Sequence, residues 1–168
     1  KAPIKRIYLE PAEAKAVPES LKAIKEADLI IIGPGSLFTS LIPPLLVKEL
    51  LEAVKAASAA KIYICNVMTQ SGETDGFTAA DHLQALLAHT DPRLVDYMVI
   101  NNEEVPSAAQ VVYAEEGAEP VQLDLERIIS QGVTPIVAPL LNTNGLVRHD
   151  ADLLAHLLSA LTPSLLRK

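Results

Sequence analysis

Apolar residues recur along the chain with two spacings, one typical of strands and the other of helices. Short, almost continuous apolar runs predict four strands, at residues 4–11 (IKRIYLEP), 28–33 (DLIIIG), 60–67 (AKIYICNV) and 94–102 (LVDYMVINN). Segments with apolar residues three or four apart predict helices between these strands, at residues 18–27, 42–58 and 78–90. Pro18, Pro43 and Pro44 fit these helices because they fall in first turns, and Thr78 is a suitable N-cap.

The chain after Glu103 carries a weaker pattern. Residues 119–124, 133–142 and 146–150 predict short strands, while residues 125–132 and 150–162 predict helices. Nearly all-apolar strands separated by helices indicate a parallel sheet that is covered on both faces. We therefore expect a single α/β domain over residues 1–168, with a three-layer, Rossmann-like fold and short extra strands in its C-terminal part.

Composition and charge narrow the class of protein. Of the 168 residues, 49% are apolar and 21% are charged, which is typical of a soluble globular domain with one core. The formal net charge of −7 argues against sequence-independent nucleic-acid binding, and no apolar run reaches the roughly 18 residues of a membrane span. The single cysteine, Cys65, is expected to be buried without a disulfide, which favours the cytoplasm. The sequence is compatible with both a monomer and a homo-oligomer.

Polar residues gather where three of the predicted strands end. The loops are residues 33–40 (GPGSLFTS), 66–76 (NVMTQSGETDG) and 101–106 (NNEEVP). In an open parallel sheet, ligands bind in the crevice outside the carboxyl ends of the strands. These three loops are therefore the candidate site.

The first of these loops has the residues of a phosphate-binding turn. Gly33 and Gly35 let the backbone approach an oxyanion, while Ser36, Thr39 and Ser40 offer hydroxyl groups at the start of a predicted helix. A larger side chain at Gly35 is then expected to block the anion at little cost to the fold. The alternative is a plain glycine turn with Ser40 as the helix N-cap, because the loop matches neither the dinucleotide fingerprint nor the P-loop.

Three stretches resemble the gluconeogenesis-factor family of YvcK-like proteins: residues 33–46 (GPGSLFTSLIPPLL), 63–89 (YICNVMTQSGETDGFTAADHLQALLAH) and 145–150 (GLVRHD). That family is related to the 2-phospho-lactate transferases of deazaflavin cofactor biosynthesis. The resemblance implies a bacterial cytoplasmic protein that binds a nucleotide sugar of the UDP-N-acetylglucosamine type and regulates carbon metabolism, cell-wall synthesis and cell shape. Such proteins open with a GGGTG turn that is absent here, so we expect this chain to match only their later half.

Under this resemblance, the loop residues become candidate ligand contacts. They are Gly33, Gly35, Ser36, Thr39 and Ser40 for a diphosphate, Asn66 for a base or sugar edge, the polar run of Thr69, Gln70, Glu73, Thr74 and Asp75 for a sugar or a metal-bound diphosphate, and Asn101 or its neighbour Asn102 at the next strand end. Tyr113, whose ring can stack on a base, and Arg148, whose guanidinium can fork a phosphate, complete the set. Each candidate also has a structural alternative. Asn66 can cap its strand end, the polar run at residues 69–75 can be a solvated loop, and Tyr113 and Arg148 can serve packing or surface ion pairing.

Catalysis and metal binding have less support in the sequence. Glu73 and Asp75 are suited to Mg²⁺, but one carboxylate pair in a loop is weak support. The histidines fall in two pairs, each seven residues apart and too far for one metal, so no metal site is predicted. Transferases of the related branch tend to carry Asn-Pro where this chain has Gly35-Ser36. We therefore expect a non-catalytic nucleotide-sugar-binding regulator, with Mg²⁺-dependent transfer of a phosphorylated group from a nucleotide-activated donor as the alternative.

Overall fold

Four strands form one parallel sheet in the order β1-β2-β3-β4 in the computed structural model, which describes residues 4–165. The strands are β1 Leu29–Ile32, β2 Ala60–Ile64, β3 Tyr97–Asn101 and β4 Thr134–Ala138, followed by an antiparallel ribbon of β5 Leu141–Asn142 and β6 Arg148–His149. The helices are α1 Pro18–Glu26, α2 Ile42–Leu45, α3 Lys48–Ala56, α4 Ala79–His89, α5 Ser107–Glu115, α6 Leu125–Ser130 and α7 Ala151–Leu165. The predicted α/β class and the parallel pairing of β1, β2 and β3 are confirmed.

Alternate residues of the strands supply two apolar cores, one on each face of the sheet. In β2, Tyr63 belongs to the larger core, which includes Leu83 of α4. Ile62 and Ile64 pack in the second core with Leu154 of α7. Because helices cover both faces, each strand can be apolar on both sides, and the predicted three-layer arrangement is confirmed.

Two helices begin with capping side chains. The Thr78 hydroxyl accepts the backbone N–H of Asp81, and the Asp81 carboxylate accepts the N–H of Thr78, which confirms the predicted cap of α4. Asp150 caps α7, since its carboxylate accepts two backbone N–H groups of the first turn, both at 3.0 Å. The aspartate that ends the GLVRHD stretch therefore has a structural role.

The predicted strand at residues 4–11 is wrong, because no strand or helix is assigned between residues 4 and 17. A strand requires a neighbouring backbone to pair with, and this segment packs by its side chains instead. Ile4 and Ile7 lie against the larger core, and the Ile7 N–H donates to His89 Nε2 at 3.3 Å. Its apolar residues thus anchor the segment without sheet pairing.

The chain between β1 and β2 forms three helical pieces where the sequence predicts a single helix at residues 42–58. A π-helical turn, Leu37–Leu41, leads into α2, and α3 follows after a break in which Val47 is extended. Pro43 and Pro44 have no N–H to bond the turn before them, which separates the π-helical turn from α2. The break before α3 comes later, at Val47, whose ψ of 109° is not helical.

The C-terminal part contains one further correction and one unpredicted helix. The strand predicted at residues 119–124 is a single antiparallel bridge between Met68 and Pro120. The ladder does not extend, because the Glu119 N–H donates to the Thr69 hydroxyl and the Gln122 carbonyl accepts the Ala79 N–H. No apolar stripe predicts α5, since none of its residues is buried. Among residues 4–165, no helix combines the length and apolar content that crossing a bilayer requires.

Candidate functional site

Two adjoining clefts lie at the carboxyl ends of the strands. The Arg148 cleft, of about 350 Å³, is lined by residues 34–36 after β1, residues 66–68 and Gln70 after β2, and residues 147–149 around β6. The Asn101 cleft, of about 200 Å³, is lined mainly by residues 100–105 at the end of β3 and by Pro120, Val121 and Leu123, and it shares Asn66 and Val67 with the first. The carboxyl ends of the strands, where a ligand is predicted to bind, therefore carry two open clefts.

The Arg148 cleft brings together four of the predicted ligand contacts. Gly35 and Ser36 come from the first loop, Asn66 comes from the second, and Arg148 comes from β6. Arg148 is exposed and forms no ion pair within residues 4–165. It is also the only lysine or arginine among the residues that line this cleft. A guanidinium that no carboxylate neutralises is suited to bind a phosphate.

The hydroxyl groups of the first loop are hydrogen-bonded to each other and to a carboxylate. Thr39 Oγ1 donates to Ser36 Oγ at 2.6 Å, and Ser36 Oγ donates to Glu73 Oε2 at 2.7 Å. The negative charge of Glu73 therefore lies beside the predicted diphosphate loop. Because like charges repel, a phosphate is favoured on the Arg148 side of the cleft. Thr39 and Ser40 are exposed and do not line the cleft.

The two glycines of this loop have packing roles. Gly33 has a φ of +92°, and a Cβ there would lie 3.1 Å from the Ile64 carbonyl oxygen. A Cβ on Gly35 would lie 3.1 Å from Leu41 Cδ2. The expectation that a larger residue at Gly35 costs the fold little is therefore corrected, because such a side chain meets Leu41, which packs on the core.

Two polar side chains of the Arg148 cleft carry unpaired acceptors. Gln70 Oε1 and His149 Nε2 are buried and have no hydrogen-bond partner within residues 4–165. Burial lowers the pKa of His149, and a hydrogen bond to the Cys65 backbone opposes that shift. Gln70 stands in a predicted polar run, but His149 enters the sequence reasoning only as an unsuitable metal ligand. Its position next to Arg148 is the one signal that could have found it.

The Asn101 cleft differs because its central amide is used by the fold. Asn101 Oδ1 accepts the backbone N–H of Leu140 at 2.9 Å and that of Glu103 at 3.3 Å. Asn101 Nδ2 donates to the Glu103 carbonyl at 2.8 Å. Asn101 is only 9% exposed, so these bonds hold the ends of β3 and β4 together.

The other predicted contacts have partners within the protein. Thr69 Oγ1 accepts the Glu119 N–H at 2.9 Å, and the Asp75 carboxylate accepts the Gly72 N–H at 2.8 Å within its own turn. The Tyr113 hydroxyl accepts the Val147 N–H at 2.9 Å, and its ring packs beside Val67 and Val147. Tyr113 therefore supports the segment that carries Arg148 without lining the cleft.

A larger cleft lies away from the carboxyl ends of the strands. It measures about 550 Å³ and is lined by residues 5–9, Ala12, Leu46, Ala88 and His89. It lies at the C-terminal end of α4, where the chain turns toward the beginning of β3. Volume alone does not identify a site, and the convergence of loops at the carboxyl ends of the strands favours the smaller clefts.

The described residues give little support for a metal site or a nucleophilic cysteine. Within residues 4–165, no group of three or more His, Cys, Asp or Glu side chains is placed to hold a metal ion. Cys65 is a buried free thiol, and burial raises its pKa, so it is inert packing. The prediction that Cys65 is buried without a disulfide is confirmed.

The sheet and the helices on its two faces define a Rossmann-like α/β fold, and comparison with known proteins gives the family. Residues 1–141 match the family model described as 2-phospho-L-lactate transferase CofD. Because that match includes most of the chain, the chain belongs to the CofD family.

Curated relatives of this chain carry the name gluconeogenesis factor. The gluconeogenesis factor of Halalkalibacterium halodurans is 46% identical over 150 residues, which cover 89% of this chain and 47% of that protein. The one of Bacillus subtilis is 45% identical over 156 residues, which cover 92% of this chain and 49% of that protein. The chain thus spans about half the length of the curated relatives that it matches.

A solved structure shares the fold. The crystal structure of a member of the UPF0052 family from Bacillus halodurans superposes with a TM-score of 0.90 at 43% identity, covering 94% of this chain and 50% of that chain. The predicted resemblance to this family is confirmed.

Proposed function

We propose that the Arg148 cleft binds the diphosphate of a nucleotide sugar of the UDP-N-acetylglucosamine type, in a cytoplasmic protein that regulates carbon metabolism without catalysing a reaction. The observation that carries the proposal is the unpaired guanidinium of Arg148 in a cleft with Ser36 and Asn66. A diphosphate needs a cation, and a charge-assisted hydrogen bond from arginine contributes about 1.5 to 3 kcal/mol.

The metabolic part of the proposal draws on the relatives. Proteins from Halalkalibacterium halodurans and Bacillus subtilis that match this chain are named gluconeogenesis factors. A sensor of nucleotide sugars links carbon supply to cell-wall synthesis and cell shape, because such sugars are the activated precursors of wall polymers. We therefore extend the proposal to cell-wall growth as the process that the regulator serves.

Titration calorimetry of the intact protein with UDP-N-acetylglucosamine tests the binding step. The wild type is expected to bind, and Arg148→Ala is expected to weaken binding about ten- to a hundredfold. Equal affinity of the two proteins at fixed ionic strength would remove Arg148 from the site. The matched control is Arg93→Ala, since Arg93 is an exposed arginine in the turn before β3, at the opposite edge of the sheet.

A second candidate function is a Mg²⁺-dependent transfer of a phosphorylated group from a nucleotide-activated donor. The observation that favours it is the family model, which is described as a 2-phospho-L-lactate transferase. Glu73 is the carboxylate that the structure places beside the first loop. Incubation with UDP-N-acetylglucosamine and Mg²⁺ for several hours distinguishes the two. Release of a nucleotide monophosphate, with the sugar phosphate passing to an added hydroxyl acceptor or to water, supports transfer, and an unchanged ligand in the presence of the acceptor supports regulation.

A further inference from the structure

Four buried side-chain polar atoms have no hydrogen-bond partner within residues 4–165: Tyr63 OH, Gln70 Oε1, His82 Nε2 and His149 Nε2. Tyr63 and His82 are fully buried core residues that line neither strand-end cleft. Gln70 and His149 both line the Arg148 cleft. Buried polar groups in native proteins are nearly always paired, so two unpaired atoms in one cleft require explanation.

Both atoms in the cleft can accept a hydrogen bond. An amide oxygen such as Gln70 Oε1 can only accept. Burial lowers the pKa of His149 and so favours its neutral ring, in which one nitrogen donates and the other accepts. With the ring proton assigned to Nδ1, Nε2 is the acceptor. The cleft therefore offers two unpaired acceptors beside the guanidinium of Arg148, which can only donate.

This combination of donor and acceptors indicates the chemistry of the ligand. A phosphate presents only acceptors to the protein at neutral pH, and it satisfies Arg148 but neither Gln70 nor His149. Hydroxyl or amide N–H groups on the same ligand are the complementary donors. A free diphosphate carries none, whereas a phosphate ester of a sugar carries several.

We propose that Gln70 and His149 determine specificity by accepting hydrogen bonds from the sugar hydroxyl or amide groups of the ligand whose phosphate Arg148 binds. This inference rests on the proposed function and deepens it, since it makes the sugar rather than the nucleotide the part that these two residues recognise. A site built to accept hydrogen bonds discriminates strongly against an analogue that lacks the donors, because the acceptors are then left unpaired.

The test compares UDP-N-acetylglucosamine with UDP on wild type, Gln70→Leu and His149→Phe by titration calorimetry. Each substitution removes the acceptor and preserves most of the side-chain volume. We expect each to weaken binding of UDP-N-acetylglucosamine by about tenfold and to leave binding of UDP within about twofold. Gln84→Leu is the matched control, because Gln84 is an exposed glutamine of α4 outside the cleft.

One further variant keeps the test decisive. His149→Gln retains an acceptor and is expected to recover part of the affinity that His149→Phe loses. Should His149→Phe fail to fold, because the histidine is half-buried, Gln70→Leu alone decides. Circular dichroism and the denaturation midpoint identify that case.

The outcomes separate this inference from the proposed function. Unchanged binding of UDP-N-acetylglucosamine by Gln70→Leu, or equal losses for UDP and the UDP-sugar, would overturn the inference while a dependence on Arg148 still supports the site. A wild type that binds neither UDP nor UDP-N-acetylglucosamine would overturn both.

Discussion

The two clefts at the carboxyl ends of the strands contain similar residue types, and the state of their polar atoms distinguishes them. In the Asn101 cleft, the central amide holds three backbone groups, two on Glu103 and one on Leu140. In the Arg148 cleft, the guanidinium of Arg148 has no carboxylate partner among residues 4–165, and Gln70 Oε1 and His149 Nε2 have no hydrogen-bond partner there. A polar side chain at a strand end can thus serve the fold or be available to a ligand.

The difference teaches that residue type at a strand end is insufficient to assign a ligand contact. A buried amide whose hydrogen bonds are complete gains nothing from a ligand, and removing it leaves backbone groups unpaired. A free, exposed guanidinium contributes little to stability and is available for binding. Substitution of Asn101 should therefore lower the stability of the protein, whereas substitution of Arg148 should lower its affinity for the ligand.

The largest effect is expected for Asn101→Ala. The change leaves the Leu140 N–H and the Glu103 backbone groups unpaired in a region that is only 9% exposed at Asn101, which should cost about 3 kcal/mol of unfolding free energy. Chemical denaturation measures it, with the exposed neighbour variant Asn102→Ala as a control that should cost less than about 0.5 kcal/mol. A stable Asn101→Ala protein that binds UDP-N-acetylglucosamine tenfold more weakly would place the site in the Asn101 cleft instead.

The second-largest effect is expected for Arg148→Ala, which should weaken binding and leave stability almost unchanged. Because Arg148 is exposed and unpaired, its removal should change the unfolding free energy by less than about 0.5 kcal/mol while weakening binding of UDP-N-acetylglucosamine by about 1.5 to 3 kcal/mol. Denaturation and calorimetry on the same preparation check both parts. Loss of stability without loss of affinity would assign Arg148 to the fold and erase the contrast between the clefts.

A smaller effect is expected for Tyr113→Phe, which removes only the hydroxyl that accepts the Val147 N–H. One lost hydrogen bond should cost about 1 kcal/mol of stability, and binding should fall only about two- to threefold, because the segment that carries Arg148 is held less firmly. Tyr8→Phe serves as the control, since Tyr8 is 78% exposed. An affinity loss as large as that of Arg148→Ala at unchanged stability would instead put the hydroxyl in contact with the ligand.

The smallest effect is a pH dependence shared by the core and the cleft. Burial lowers the pKa of both His82 and His149, so the unfolded chain binds more protons than the folded one as pH falls below about 6.5. Stability should therefore be full above that pH and decrease on acidification through the folded-state pKa values. Denaturation at pH 7.5 and 5.5 should show a smaller decrease for His82→Gln than for the wild type. A wild type that becomes more stable on acidification would contradict the assignment of neutral, buried rings.

Local pattern was sufficient to predict strands β1 to β3 and the start of α4. The runs at residues 29–32, 60–64 and 97–101 are apolar on both sides because both faces of the sheet are covered, and Thr78 shows its capping role within four residues. The same apolar pattern at residues 4–11 misleads, because the side chains pack on the core without a neighbouring strand to pair with. Apolar spacing reports burial and does not report backbone pairing.

The candidate site was predictable only in part. The rule that ligands bind at the carboxyl ends of parallel strands leads to Ser36 and Asn66, and a cation in the GLVRHD stretch leads to Arg148. The structural roles of Thr69 and Asn101 could not be predicted. Their partners, Glu119 and Leu140, lie 50 and 39 residues further along the chain, and no local pattern records such a bond.

Amide chemical-shift mapping of the intact protein during titration with UDP-N-acetylglucosamine tests the central claim most directly, because it shows which cleft the ligand enters. We predict that the shifts concentrate at the amides of Gly35, Ser36, Asn66, Val147, Arg148 and His149. The amides of residues 102–105, which line only the Asn101 cleft, should move little. Shifts that concentrate at residues 102–105, or at residues 5–9 of the larger cleft near α4, would contradict the assignment of the Arg148 cleft as the nucleotide-sugar site.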